Sequence, residues 1–343
     1  VAVFRPGTEG DGILLKHDQR LMIFVMLNML LLTGLGGCAA MGGVGTEIQG
    51  NYFLTSEDYQ GGVQSLTAMV RSNPDDPAAQ YYLGRCLLAL DKAAEALPHL
   101  EGAVRLEPGR AEYHFWQGVA YWGVMDYRQE RSSYLRAIDL DKTYLPAHLY
   151  LGHNYLDAGL AAEALQEYDV VLSMDPKSPE ALHNRAECLR KLGRPQEEIA
   201  AWKTYLDLYP DGSLARTAAG HINKQGDFSY RNQLIGVRPV TLEWIKFEPG
   251  TGIISSESEP TLRAVGSVLA KNPNIQLEIH SFYKNNLQLA QERGRQVKNF
   301  LENQYGFDPG RLTVRAYGRA ERILEGRKIY SLDHSVVFQN RKR

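Results

Sequence analysis

The chain's 343 residues carry 38 basic and 40 acidic side chains, a formal charge of −2, 44% hydrophobic residues and three cysteines. At roughly 100–200 residues per domain the length allows two domains, and the balanced charge gives no pull toward a nucleic-acid partner without a local basic patch. Three cysteines with neither a CxxC nor a paired Cys/His spacing exclude a disulfide mini-protein and a zinc module.

Lys16, His17 and Arg20 precede an uncharged apolar run over residues 21–35. At ~1.5 Å per residue the run spans roughly 22 Å, short of a ~30 Å hydrocarbon core. A basic start, a short apolar core and a small-residue exit read as a secretory signal rather than a buried helix, because nothing polar defines a second face. The exit, Leu35-Gly36-Gly37-Cys38-Ala39, resembles a bacterial lipoprotein signal. That resemblance implies cleavage before Cys38 and acylation of its thiol and new amine. At ~0.8 kcal/mol per buried CH₂, several acyl chains make a durable membrane anchor. Ala39 stands where the family's inner-membrane retention signal has Asp, which implies sorting to the outer membrane, on its periplasmic face. The chain opens on Val1, and a start at Met22 would delete every basic residue before the apolar run, so a start upstream is expected. Gly42-Gly43-Val44-Gly45 reads as flexible chain, making residues 38–56 a tether.

A period of 34 follows. Pro74, Pro108, Pro176 and Pro210 fall on one lattice, with Lys142 in the vacant slot, and Gly84, Gly118, Gly152 and Gly220 fall on another, with Ala186 between. Ala96 and Ala164, and Ala103 and Ala137, recur where two helices approach closely, while Leu100, Tyr134, Tyr168 and Trp202 share a bulky column. The pattern resembles the tetratricopeptide repeat, a helix–turn–helix unit. It predicts an all-α superhelix over 57–222: a partial repeat, full repeats at 77–110, 111–144, 145–178 and 179–212, and a capping helix. Cys86 and Cys188 occupy one helix position three repeats apart, at least roughly 25 Å if helices stack ~8–10 Å apart, so both are expected as reduced core residues. His114 and His148, also 34 apart, are expected in the core rather than on a metal.

Stacked repeats act by binding, through an extended curved wall. The resemblance places on that wall Tyr81, Arg85 and Leu88, then Phe115, Val119 and Trp122, then Leu149, His153, Leu156 and Asp157, and finally His183, Glu187, Arg190 and Lys191. Exposed aromatics and Arg anchor protein interfaces, so the expected partner in this groove is a protein. The alternative is that several of the aromatics pack against neighbouring helices.

Residues 223–236, with Gly226, Asn223, Asn232, Gln225 and Gln233, read as a linker. Beyond it the pattern predicts strands at 240–247, 275–280, 312–317 and 335–339 and helices at 260–271 and 286–305. The result is an α+β sandwich of order β-α-β-α-β-β. Ile245-Lys246-Phe247, the run Asn274-Ile275-Gln276-Leu277-Glu278-Ile279-His280, Asn286-Leu287-Gln288-Leu289-Ala290-Gln291-Glu292-Arg293 and Arg311-Leu312-Thr313-Val314-Arg315-Ala316-Tyr317-Gly318 together resemble the OmpA-like, peptidoglycan-associated domain, here over 237–343. The family clamps a zwitterionic diaminopimelate end between an Asp and an Arg. Arg293 matches the arginine, and His280 is the second candidate peptidoglycan contact. The aspartate is lost, because His280-Ser281 is followed by Phe282, and the family's late Asn-Arg-Arg is replaced by Asp333-His334-Ser335. Arg293 is therefore open between a ligand contact and a solvated helix charge.

No nucleophile elbow, P-loop or HExxH motif points to catalysis, and no cofactor or metal is expected. The sequence thus predicts a lipid-anchored periplasmic scaffold whose repeats hold a protein partner and whose second domain contacts the cell wall. The alternative is an assembly or secretion accessory whose second domain binds protein and has lost the wall.

Overall fold

The computed structural model describes residues 38–341; the expected signal over 1–37 and the Cys38 side chain lie outside what is described. The chain divides into two compact units between Met174 and Asp175.

The first unit is built of helix pairs: α1 (Cys38–Thr55) with α2 (Tyr59–Ser72), α3 (Pro77–Ala89) with α4 (Ala93–Leu106), α5 (Ala111–Gly123) with α6 (Tyr127–Leu140), and α7 (Leu145–Asp157) with α8 (Ala161–Met174). From α3 onward, successive pairs start 34 residues apart because the same local devices recur. Asp76 caps α3 by accepting from Ala78 and Ala79 N–H, and Pro77 opens that helix where its missing N–H costs nothing. Each pair turns through a left-handed residue on one lattice, at Glu57, Asp91, Met125 and Gly159. The small column is a clearance for the large one. A Cβ on Gly84 would lie 2.5 Å from the Leu100 side chain, one on Gly118 2.4 Å from the Tyr134 ring, and one on Gly152 2.8 Å from the Tyr168 ring. Gln80, His114 and His148 share a third column. Each bonds the carbonyl six residues back, on Pro74 (3.0 Å), Pro108 (3.0 Å) and Lys142 (3.1 Å), which would otherwise be unpaired in the turn between repeats.

The segment expected as a tether is helix α1. Its Gly50 is clearance rather than slack. Gly50 stands against Tyr82, Phe53 is buried, and buried Thr46 donates to Asp76 at 2.9 Å; across the pair, Gly62 of α2 stands against Cys86.

The second unit opens with one more pair, α9 (Pro179–Lys191) and α10 (Pro195–Leu208), and the cap α11 (Gly212–Lys224). Strands β1 (Tyr230–Ile235) and β2 (Arg238–Glu243) follow, then α12 (Glu259–Lys271), β3 (Leu277–Tyr283), α13 (Leu287–Tyr305), β4 (Leu312–Tyr317), a hairpin of β5 (Glu321–Glu325) and β6 (Lys328–Leu332), and β7 (His334–Asn340). β3 lies between a parallel β4, reached through α13, and an antiparallel β7. Alternation on β3 turns Leu277, Ile279 and Ser281 to the helix-covered side, where Ile279 packs with Leu262, Val265, Val297 and Phe338.

The linker expected over 223–236 holds the end of α11 and strand β1. Phe228, Tyr230 and Ile235 are buried there, and the Asn223 amide donates to the carbonyls of Asp227 (2.8 Å) and Tyr230 (2.7 Å). Tyr230 also donates to Asp207 of α10. Side-chain bonding replaces the water that a free linker would need.

Candidate functional site

The wall residues of the first unit separate by burial. Tyr81, Phe115, Val119 and Leu149 are core residues, each less than a tenth exposed. Tyr81 stacks on Tyr113 at 4.7 Å, and Phe115 meets Tyr134, Tyr144 and Tyr150 at 5.2 to 5.7 Å. The expectation of an exposed wall is therefore corrected for these positions: ring-to-ring packing hides Tyr81 and Phe115, Val119 lies in the same hydrophobic cluster as Phe115, and Leu149 is buried. Leu88, Trp122 and Leu156, one lattice column at the ends of α3, α5 and α7, are half-buried, and Asp157 beside them is exposed.

Arg85 organises the most polar part of this face. Its guanidinium lies 3.5 Å over the Trp116 ring and donates to the Tyr81 hydroxyl, which in turn donates to Glu112. Arg85 also lies 3.8 Å from the Glu112 carboxylate. Burial raises the Tyr81 phenol far above its usual range, so it serves as a neutral relay between cation and carboxylate. Sequence reasoning missed Glu112 and Trp116; the readable signal was Trp116 on one column with Tyr82 and Tyr150.

His153 is half-buried between Tyr150 (5.5 Å) and Tyr168 (5.8 Å), and its Nε2 finds no hydrogen-bond partner among the described residues. Burial alone pushes its pKa down to about 4, so it is a neutral ring at ordinary pH. Next to it the same physics acts on an acid. Glu130, buried on α6, accepts from the Asn154 amide at 2.9 Å, and burial pushes its carboxyl up to about 7. Glu130 and Glu198 fill the column that holds Ala96 and Ala164, and both are buried.

In the second unit Arg190 and Lys191 are exposed, and Arg190 grips Glu187 with Nε at 3.0 Å and Nη2 at 2.8 Å. His183 is half-buried, edge-on to Trp202 at 5.2 Å. His221 of the cap stacks on that same indole at 5.4 Å, with Glu187 and Glu198 at 3.6 and 3.8 Å. Glu187, Arg190 and Lys191 supply the charge here.

Arg293 and His280 are not brought together. His280 is 8% exposed on the β3 side away from α13, its ring bonded to Glu278 (3.0 Å) and to Tyr317 (3.3 Å). Arg293, on α13, is 5% exposed, so it is not a solvated helix charge. Its guanidinium lies between the rings of Phe247 (4.5 Å) and Tyr283 (4.9 Å), and Nε donates to the Thr251 carbonyl at 2.9 Å. No carboxylate among the described residues forms an ion pair with it, and burial lowers its pKa. An aromatic sandwich holds the charge where an acid would otherwise be needed.

Among the described residues no cluster of His, Cys, Asp or Glu has a metal-binding arrangement, and no helix is long and apolar enough to cross a membrane. Compared with protein families, residues 49–110, 87–144 and 149–213 match the tetratricopeptide repeat, and residues 246–330 match the OmpA family. The chain carries tetratricopeptide repeats followed by an OmpA-family domain. The repeat matches begin inside α1, and the OmpA match leaves out β1 and β2. Such repeats indicate protein–protein interaction, and the OmpA-family domain indicates association with the cell envelope. Among solved structures, the MamA protein is similar at 21% identity over 48% of this chain and 90% of that one, with a TM-score of 0.45. YrrB, titled a TPR protein with an unusual peptide-binding site, is similar at 17% identity over 50% and 89%, with a TM-score of 0.45. A thermophilic TPR protein of Thermus thermophilus is similar at 22% identity over 53% and 99%, with a TM-score of 0.41. No curated protein matches the chain.

Proposed function

We propose that the protein is a non-catalytic scaffold, lipid-anchored through Cys38 to the periplasmic face of the outer membrane, that holds a protein partner on its repeats. The observation that carries this reading is the joining, in one chain, of repeat helices presenting Arg85, Leu88, Trp122 and Leu156 to an OmpA-family domain. The lipobox-like Leu35-Gly36-Gly37-Cys38 supports the anchor. Cys38→Ser is expected to move the protein from the membrane to the soluble periplasmic fraction; unchanged, acylated membrane protein rejects the anchor. Affinity isolation from envelopes is expected to recover a partner that is lost with Trp122→Ala. Recovery that is indifferent to Trp122 rejects the groove.

For the OmpA-family domain, one observation favours the reading that it docks on protein rather than on peptidoglycan. Arg293 is enclosed by Phe247 and Tyr283, and Phe282 follows His280-Ser281 where the family's aspartate is lost. Removing one side of a paired-charge clamp costs a few kcal/mol. Sedimentation with purified diaminopimelate-type peptidoglycan is expected to leave the protein in solution. Retention that disappears in Arg293→Ala restores the wall-binding reading.

A further inference from the structure

The β5–β6 hairpin has two unlike faces. Register pairs Glu321 with Leu332, Ile323 with Tyr330 and Glu325 with Lys328 on one, and Arg322 with Ser331 and Leu324 with Ile329 on the other. The first face is anchored. Tyr330 meets Phe228 at 5.1 Å and closes over Gly226, where a Cβ would lie 2.8 Å from its ring, while buried Glu321 is gripped by both Arg231 Nη atoms at 2.8 and 2.9 Å. The second face is open to solvent. Leu324 is 70% exposed and Ile329 60%, side by side across the ladder.

Beside that aliphatic pair stand Arg322 on the same face and Arg327 in the turn, both exposed and neither in an ion pair among the described residues, while Lys328 lies across from Glu325 on the anchored face. Glu325 is the single acid between residues 322 and 331. The protein as a whole is slightly acidic, so this local excess of positive charge is not a property of its general surface. Charge alone would suit any polyanion. Positive charge flanking two unburied aliphatics suits a surface with anionic groups above an apolar layer.

We propose that this outer face of the β5–β6 hairpin docks on an anionic lipid bilayer, with Leu324 and Ile329 entering the interface and Arg322 and Arg327 meeting headgroup phosphates. Docking needs no acyl chain and stands independently of the Cys38 anchor. It would hold one face of the OmpA-family domain at the membrane surface.

The test uses the full chain with Cys38→Ser, which removes acylation, and a polarity-sensitive dye on Ile329→Cys; Cys86 and Cys188 are buried and stay unlabelled. On phosphatidylglycerol vesicles the dye emission is expected to shift blue, and on pure phosphatidylcholine vesicles to stay unchanged. Combining Arg322→Glu and Arg327→Glu should weaken partitioning at least about thirtyfold, given the usual contribution of a basic residue at an anionic surface. Leu324→Asp in the labelled chain should abolish the shift while circular dichroism confirms an intact fold. A chain that sediments with vesicles while its dye stays unshifted binds through another region and overturns the proposal. So does a shift on purified peptidoglycan without one on vesicles, or a shift insensitive to charge reversal.

Discussion

His153 and Glu130 titrate out of place in opposite directions, and both sit in the first unit. With a folded pKa of about 4, His153 stays neutral while an unfolded chain takes up a proton from about pH 6.5 downward. Its linkage therefore removes stability as pH falls between these values, up to about 3 kcal/mol. Glu130, at about 7, keeps its proton in the fold while the unfolded chain loses it above about pH 4.5. Its linkage removes stability, by a similar amount, as pH rises through that window. The two nearly cancel. Chemical denaturation between pH 4.5 and 7 isolates each one against the parent chain. Relative to the parent, His153→Leu should give a profile tilted to fall as pH rises, and Glu130→Gln one tilted to fall as pH drops. Parallel profiles for the two variants would refute both assignments. Met125 is a different residue-scale case. It holds φ 64 on the column where Gly159 and Gly193 stand, and it is 74% exposed. Met125→Gly is expected to raise stability by about 1 kcal/mol, because a left-handed residue with a Cβ is strained and little packing is lost. Denaturant midpoints of the two chains measure it.

Helix pairs in this protein are spaced by glycine against a large side chain, and this is the element-scale quantity to perturb. Gly118→Ala places a Cβ 2.4 Å from the Tyr134 ring, which is fully buried and cannot swing aside. Overpacking of this kind costs about 1–3 kcal/mol, and a Tyr134→Leu partner change should recover part of it, as a double-mutant cycle would measure. Near the start of the OmpA-family domain, Asn223→Ala leaves two backbone carbonyls unanswered at an expected cost of about 1–3 kcal/mol, with faster proteolysis across 225–229. The 34-residue lattice made every later helix pair legible. Helix α2 falls within the expected partial repeat, but α1 was missed because glycine near an apolar signal reads as slack, although Gly50 already stands on a lattice column. The wall was half legible. Periodicity places Tyr81 and Phe115 on the right helices, but only three-dimensional neighbours such as Tyr113 and Tyr150 tell a buried ring from an exposed one. His280 and Arg293 were paired through the resemblance to the OmpA-like family; the side of the sheet that α13 covers separates them.

For the whole molecule, the boundary between compact units at Met174 does not coincide with the boundary between repeats and OmpA-family domain. The last helix pair and its cap share a unit with the sheet, tied by Tyr230 to Asp207 and by Lys203 to Asp227 at 2.6 Å. Removing the chain after 236 would strand β1 without β2 and is expected to unfold the adjacent helices, visible as loss of helicity greater than the deleted residues account for. Cys86 belongs to the first unit and Cys188 to the second, and both are buried thiols. Burial also holds the Cys86 thiol protonated, pushing its pKa up to about 11. These two thiols are thus chemically silent in the folded molecule, and each becomes reactive only when its own unit opens. The chain carries a built-in pair of clocks: reagent uptake at Cys86 in Cys188→Ala times one opening, and uptake at Cys188 in Cys86→Ala times the other.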